Sequence, residues 1–241
     1  MNKVVDLRAT LGPVRDQGPF RGTCLAFAVT ATHEHGRAQP PGPLSVETLY
    51  WGAKQNDGLL GQGTTFEAAG AALRSWGQPK EELWPYDPLR TDNDANYQPP
   101  HNAVKPSNCL AADLFPIAAT CDAVGAALDQ GFVVPIGIPT WPGLLRPVGS
   151  QLRNPRPAEL DGQLHAVTIV GYRLDTAEIL LRNSWGTRWG DQGHAWIPQQ
   201  FVDDHVISAW QLRPLDAAQP PTATMTVVAP RPTATHSFGT R

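Results

Sequence analysis

The first half of the chain carries apolar residues at helical spacing, three or four positions apart. The segment 24–35 is apolar nearly all round in its first two turns, which predicts a buried helix with Thr23 as N-cap and Gly36 as terminator. A capping box from Thr64 to Glu67 predicts the start of another helix. The predicted helices cover 24–35, 45–54, 64–77 and 120–130.

The second half changes to short runs of β-branched and aromatic residues bounded by Gly, Pro or Asp, a pattern typical of strands. The predicted strands cover 132–138, 165–172, 179–183, 194–197 and 209–212. Helices first and strands later predict an α+β fold of two subdomains. We expect a helical part over roughly 9–100, a β-rich part over roughly 110–215, and a ligand cleft where they meet.

The last segment, 216–241, is rich in Pro, Thr and Ala and is not expected to form a packed element of its own. We interpret it as a tail that follows a single domain over 1–215. Its composition favours an inert extension. A docking or targeting tag, or a restraint on activity, is the alternative.

The composition limits the classes of partner. The 241 residues include 22 Gly and 24 Pro, and 17% are charged, which indicates a compact, turn-rich protein. A net charge of −3 without a basic face argues against nucleic acid and anionic membranes. The apolar runs are too short to span a bilayer, and the N-terminus lacks a signal-peptide core. We expect synthesis in the cytoplasm, and export by a route without a cleaved signal stays open.

Three residues are candidates for chemistry. Cys24 is the odd one of three cysteines, since at most Cys109 and Cys121 form a disulfide. It begins the first predicted helix, whose N-terminal N–H groups and positive partial charge stabilise a thiolate. His165 opens an apolar strand, and Asn183 ends a strand and begins the string NSWGTRWGDQG. Taken singly, each is more often structural: a core thiol, a satisfied histidine, an aromatic-packed loop.

Together the three resemble the papain family of cysteine peptidases, in which His and Asn follow an early Cys by roughly 130–150 residues. Here His165 follows Cys24 by 141 residues, and Asn183 follows His165 by 18. Seven segments in family order carry the resemblance: VDLR (5–8), VRDQG (14–18), GTCLAFA (22–28), LGQGT (60–64), WPY (84–86), HAVTIVGY (165–172) and NSWG (183–186). It implies a papain-like fold, with a helical subdomain, an antiparallel β-barrel-like subdomain and the active-site cleft between them.

The resemblance also implies a thiol protease that needs no metal or organic cofactor. Cys24 and His165 would form a thiolate–imidazolium pair that hydrolyses peptide bonds through a thioester acyl-enzyme. Asn183 would orient the imidazole. Gln17 would bind the oxyanion together with the Cys24 backbone N–H.

The implied substrate is a peptide or protein, and an inhibitor or regulatory partner stays open. The residues expected to contact it are two glycines of a flexible strip, the two neighbours of the histidine and a shielding indole: Gly61, Gly63, Leu164, Ala166 and Trp185. Leu164 stands where many family members carry Asp or Asn, so we expect an apolar lining there.

The sequence departs from the family pattern at several positions. Gln17 and Cys24 are seven positions apart where the family usually has six, which puts the oxyanion geometry in question. The family's cysteine shortly before the nucleophile is absent, and with it a disulfide, which fits a reducing compartment. The family motif begins close to Met1, so we expect a bacterial-type member without an inhibitory propeptide.

Two other functions stay open on the sequence. One is a catalytically impaired module that binds peptides in the cleft, and the other is a papain-fold acyl transferase or deamidating toxin. A metal site is not expected. His33 and His35 are two positions apart on a helix and do not share a face.

Overall fold

The computed structural model describes residues 3–37, 42–90, 97–215 and 238. Its helices are α1 (Cys24–His35), α2 (Val46–Lys54), α3 (Phe66–Ser75), α4 (Cys121–Asp129), α5 (Pro142–Leu145) and α6 (Phe201–His205). Its strands are β1 (Val4–Asp6), β2 (Ala112–Ile117), β3 (Val134–Pro139), β4 (Leu164–Arg173), β5 (Glu178–Arg182), β6 (His194–Pro198) and β7 (Ser208–Pro214). The expected α+β fold, with a helical first part of the chain and a β-rich second part, is confirmed.

The strands form one antiparallel sheet in the order β2-β7-β3-β4-β5-β6, and β1 pairs with β4 outside that path. The central pair, β3 and β4, places Ile138 opposite His165 and Gly137 opposite Ala166. Because successive side chains of a strand point to opposite faces, β4 contributes to two cores. Ala166 belongs to the cluster packed with α1, α2 and α3, whereas Val167 belongs to the cluster packed with α4.

Helix α1 runs along β4 in the same direction. Near the middle of both, Thr168 donates from its hydroxyl to the Ala28 carbonyl at 3.3 Å. At the far end, a ring nitrogen of His35 lies 2.8 Å from the carbonyl of Gly131, just before β3. The first residues of α1 and β4 therefore lie at the same end of the sheet.

Thr23 is the N-cap residue of α1 and Gly36 its C-cap residue, as predicted. The Thr23 side chain makes no capping bond, and its hydroxyl lies 2.8 Å from the Tyr86 hydroxyl. The predicted start of α3 is wrong by one residue: its N-cap is Thr65, which accepts from the Ala68 N–H, rather than Thr64.

Two strands were not predicted from the sequence. β1 has three residues and depends on its pairing with β4. β2 contains Pro116, which argues against a strand inside a sheet. β2 is an edge strand, where a missing N–H costs no ladder bond, so the proline is tolerated.

Other expectations about the chain's organisation have mixed outcomes. The three cysteines are not disulfide-bonded, so the alternative pairing of Cys109 with Cys121 is absent. The tail over 216–241 lies outside the described residues, with the exception of Phe238, which is buried. Among the described residues, the helices are too short or too polar to cross a bilayer.

Candidate active site

Helix α1 and strand β4 bring Cys24 and His165 to one end of the sheet. Cys24 is the first residue of α1 and His165 the second of β4, and both are fully buried. Cys24 shares a buried cluster with Ala166, the residue after His165. The helix N-terminus points its N–H groups and positive partial charge towards this end.

His165 is held by two residues of the loop after β5. A ring nitrogen, Nε2, lies 2.8 Å from the Asn183 side-chain oxygen. That oxygen also accepts from the Ser184 backbone N–H at 2.8 Å, which fixes the orientation of the amide. An amide oxygen can only accept, so Nε2 carries the hydrogen. The Trp185 ring stacks on the imidazole with centroids 4.5 Å apart.

The environment of His165 disfavours its charged form. Burial lowers the pKa of His165 to about 4, and the hydrogen bond to Asn183 opposes that shift. Trp185 covers the ring and contacts Trp189, at 6.0 Å between centroids. An isolated imidazolium is therefore unstable at this position, and it requires a nearby anion.

Burial lowers the pKa of His33 and of His194 to about 4 each. The unfolded chain takes up these protons near pH 6.5, so the stabilisation is complete above that pH and is lost as the pH falls towards 4. We expect the free energy of unfolding to fall between pH 7 and pH 5, with each histidine contributing up to about 1.4 kcal/mol per pH unit.

The measurement is urea unfolding as a function of pH in the parent and in His194→Gln. His194 is buried, and its Nδ1 lies 3.0 Å from the Gln192 carbonyl. The variant is expected to show a shallower dependence, because it lacks one of the two groups. Equal slopes in the two proteins would contradict the assignment.

Gln17 is fully buried beside the loop that carries Asn183. Its backbone N–H donates to the Ser184 carbonyl at 2.8 Å, and its side-chain oxygen accepts from the Ser184 hydroxyl at 2.7 Å. Its amide nitrogen donates to the Arg21 carbonyl at 3.1 Å. The amide nitrogen is thereby directed at the loop leading into Cys24.

The longer loop between Gln17 and Cys24 is held by two side chains. Gln62 accepts from the Gly22 N–H at 2.9 Å and donates to the Phe20 carbonyl at 2.8 Å. Arg21 is 1% exposed and forms an ion pair with the fully buried Glu47, at 2.8 Å. The extra residue is accommodated in an anchored loop, which weakens the argument for an impaired site.

The predicted substrate residues surround these groups. Gly61 and Gly63 have φ values of 97° and 86°, in the left-handed region that favours glycine. Leu164 packs partly buried against the cluster that contains Cys24. An open groove next to Trp185 is lined by Asp16, Gly18, Pro19, Leu145 and Trp185.

Several residues of the site were not singled out from the sequence. Ser184, Gln62, Arg21 and Glu47 act through contacts with residues far away in the chain. Gln62 lies between Gly61 and Gly63, and this position was the one signal in the sequence that could have identified it as a site residue. Among the described residues, no cluster of three or more His, Cys, Asp or Glu side chains could hold a metal ion.

Comparison with known proteins agrees with this geometry. A family model described as papain family cysteine protease matches residues 154–208, the part that contains His165 and Asn183. Cathepsin R of Mus musculus is 30% identical over 205 residues, which cover 80% of this chain and 59% of cathepsin R. Cathepsin 7 of Mus musculus is 27% identical over 201 residues, 78% of this chain and 57% of that protein. The chain thus spans less than two thirds of the length of these relatives.

Solved structures share the fold. Xylellain, a cysteine protease from Xylella fastidiosa, superposes with a TM-score of 0.76 at 23% identity, covering 87% of this chain and 85% of xylellain. The bromelain protease from Ananas comosus, in complex with an inhibitor, gives a TM-score of 0.67 at 20% identity, covering 89% of this chain and 99% of the bromelain chain. The expected papain-like arrangement of helices and antiparallel sheet is confirmed.

Proposed function

We propose that this chain is a papain-like cysteine peptidase that hydrolyses peptide bonds with Cys24 as nucleophile and His165 as general base and acid. The observation that carries the proposal is the buried imidazole, held by the Asn183 oxygen and stacked on Trp185, at the end of the sheet where α1 begins. Positioned groups of this kind are what nucleophilic catalysis needs.

The hydrogen bond to Asn183 assigns the roles of the two ring nitrogens. Nε2 carries a hydrogen and donates it to the Asn183 oxygen. Nδ1 is then the nitrogen that takes the Cys24 thiol proton and later returns it to the leaving amine. Stacking on Trp185 keeps water away from the bond and holds the ring plane.

The charges of the pair stabilise each other. Burial opposes an imidazolium at His165, so the charged ring needs an anion beside it. The Cys24 thiolate is that anion, and the N-terminus of α1 lowers the pKa of a thiol at its first residue. Each ion of the pair thus compensates the desolvation of the other.

The reaction proceeds in two halves. The thiolate sulfur forms a bond to the peptide carbonyl carbon, and the resulting oxyanion accepts from the Gln17 amide and the Cys24 backbone N–H. The C–N bond then breaks, the amine leaves with the proton from His165, and a thioester remains. Water, deprotonated by His165, attacks the thioester, which releases the carboxylic product and restores the thiol.

The shape around the pair suits an extended peptide. The segment from Gly61 to Thr64 borders the nucleophile loop through Gln62, and Gly18 and Pro19 of the same loop line a groove together with Trp185. An extended peptide that crosses between the two is proposed to pass over the first residue of α1. The substrate class we propose is therefore a peptide or an extended protein segment, bound without a metal or organic cofactor.

The test is labelling with a peptidyl epoxide, read by intact mass and peptide mapping. We expect one label per chain at Cys24, formed far more slowly in His165→Ala. Burial raises the pKa of the Cys121 thiol to about 11 and also raises that of Cys109, so these two internal controls react slowly. Labelling spread over all three cysteines, or unchanged in His165→Ala, contradicts the proposal.

Hydrolysis is then measured on a peptide library, with Cys24→Ala as the inactive reference. Cleavage separates the substrate into two products whose masses sum to the substrate plus water. A deamidase leaves the peptide whole, and an acyl transferase attaches one fragment to an added amine. A folded protein that binds the peptides and leaves all of them intact is the binding module.

A further inference from the structure

One aromatic residue far down the chain is seated in the main body of the protein. Phe238 is 3% exposed. Its backbone N–H donates to the Thr64 carbonyl at 2.9 Å, and its carbonyl accepts from the Thr64 N–H at 3.1 Å. These two bonds form an antiparallel β-bridge. Reciprocal main-chain bonds of this kind are the means by which an extended peptide pairs with another backbone segment.

The ring of Phe238 fills an apolar recess. It meets the Phe66 ring edge-on, with centroids 5.4 Å apart, and Trp210 stacks on Phe66 at 5.4 Å. On the sheet side it covers Gly137 so closely that a Cβ there would lie 2.3 Å from two ring carbons. A side chain at position 137 would exclude the ring, so the recess exists because this residue is glycine.

The recess lies next to the proposed catalytic residues. Gly137 is opposite Ala166 in the sheet, and Ala166 follows His165. Thr64 follows Gly63, the glycine expected to contact substrate. Phe238 shares its buried cluster with Cys24 and Ala166. An occupant of this recess that pairs with Thr64 therefore lies in the path proposed for the substrate.

We propose that Phe238 occupies the recess as an intramolecular competitor of the peptide substrate, so that the full chain restrains its own activity. The proposal rests on the proposed function, because it places the tail in the same cleft. The main-chain bonds to Thr64 serve any extended peptide, whereas the recess selects a large apolar or aromatic side chain. Substrates with such a side chain at this position compete directly with Phe238.

The connection through 216–237 makes this competition effective. For a covalent connection of this length we take an effective concentration of about millimolar. If the tail segment has an intrinsic dissociation constant of about 100 μM, the recess is then occupied by it about ten times more often than it is empty. Removing the ring should raise the affinity for an external peptide by about this factor.

The test is peptide binding in the full chain with Cys24→Ala, which requires no catalysis. The probe is a fluorescein-labelled peptide of the chain's own sequence over 234–241, ATHSFGTR, measured by anisotropy. Adding Phe238→Ala to the chain is expected to tighten binding about tenfold. The same probe with Ala in place of Phe is expected to bind weakly to both proteins. Equal affinity of the two proteins for ATHSFGTR overturns the proposal.

Val228→Ala is the matched control in the same segment and should leave the affinity as in the parent. A permanent core role for Phe238 gives another result: Phe238→Ala lowers the melting temperature and does not tighten peptide binding, which also overturns the proposal. Hydrolysis by the same Phe238→Ala variant, with Cys24 intact, separates the two hypotheses. Tighter peptide binding without any hydrolysis refutes the peptidase and leaves the docking site standing.

Discussion

Replacing Gln17 by alanine is expected to lower kcat by about 10²–10³, with KM changed far less. The proposed oxyanion forms only after the thiolate attacks, so a donor aimed at it stabilises the transition state and not the bound substrate. Gln17 is suited to that role because it is preorganised. Its side-chain oxygen accepts from Ser184, and its amide nitrogen already donates once, to the Arg21 carbonyl.

Alkylation separates a lost oxyanion donor from a misplaced nucleophile. Iodoacetamide reacts with the Cys24 thiolate by displacement and forms no oxyanion, so its rate in Gln17→Ala should match the parent within about threefold. Gln130→Ala, at an exposed glutamine, is the matched control for turnover. If alkylation falls as steeply as kcat, Gln17 positions the loop and does not bind the oxyanion.

Replacing Arg21 by methionine is expected to destabilise the protein by about 3–5 kcal/mol. Arg21 and Glu47 are buried together, with 2.8 Å between Nη1 and Oε2, and removing the arginine leaves the buried carboxylate with only the longer contact to Arg90 Nε, at 3.7 Å. The guanidinium also donates to the Asp87 carbonyl and lies 5.1 Å from the centre of the Tyr86 ring. Urea unfolding at neutral pH measures the loss.

A double variant tests whether the charge is the cause. Arg21→Met with Glu47→Met removes both ions and should recover at least half of the loss, because two apolar side chains can fill the same volume. Arg188→Met, at an exposed arginine, should change stability by less than about 0.5 kcal/mol. If the double variant is as unstable as Arg21→Met alone, the loss of stability comes from the missing packing of the guanidinium and not from the unpaired charge.

The elements that bear the chemistry could be predicted because their signals are local. The apolar run of α1, the strand that begins at His165 and the string that follows Asn183 each specify their own conformation over a few residues. The spacing of Cys24, His165 and Asn183 then indicated the family. The strand β2 could not be predicted in this way, since Pro116 is tolerated only because the strand lies at the sheet edge.

The geometry around the nucleophile could not be predicted, because it depends on contacts between distant segments. The seven-position spacing from Gln17 to Cys24 put the oxyanion site in question. In the structure, Gln62 and the Arg21–Glu47 ion pair hold the longer loop, and Ser184 holds Gln17. Each of these bonds joins residues more than 20 positions apart, so no local sequence pattern predicts it.

The sequence by itself determined the four longer helices, most strands and the fold class, all of which follow from short-range periodicity and from residue type. It also indicated the three residues proposed to carry the reaction, through the resemblance to the papain family. Only the tertiary structure decided where the Thr23 hydroxyl is bonded, how the Gln17 amide is oriented and where Phe238 lies. A polar or aromatic side chain takes whichever partner the packing brings within reach, and the composition of 216–241 holds no sign that one phenylalanine is buried beside Gly137.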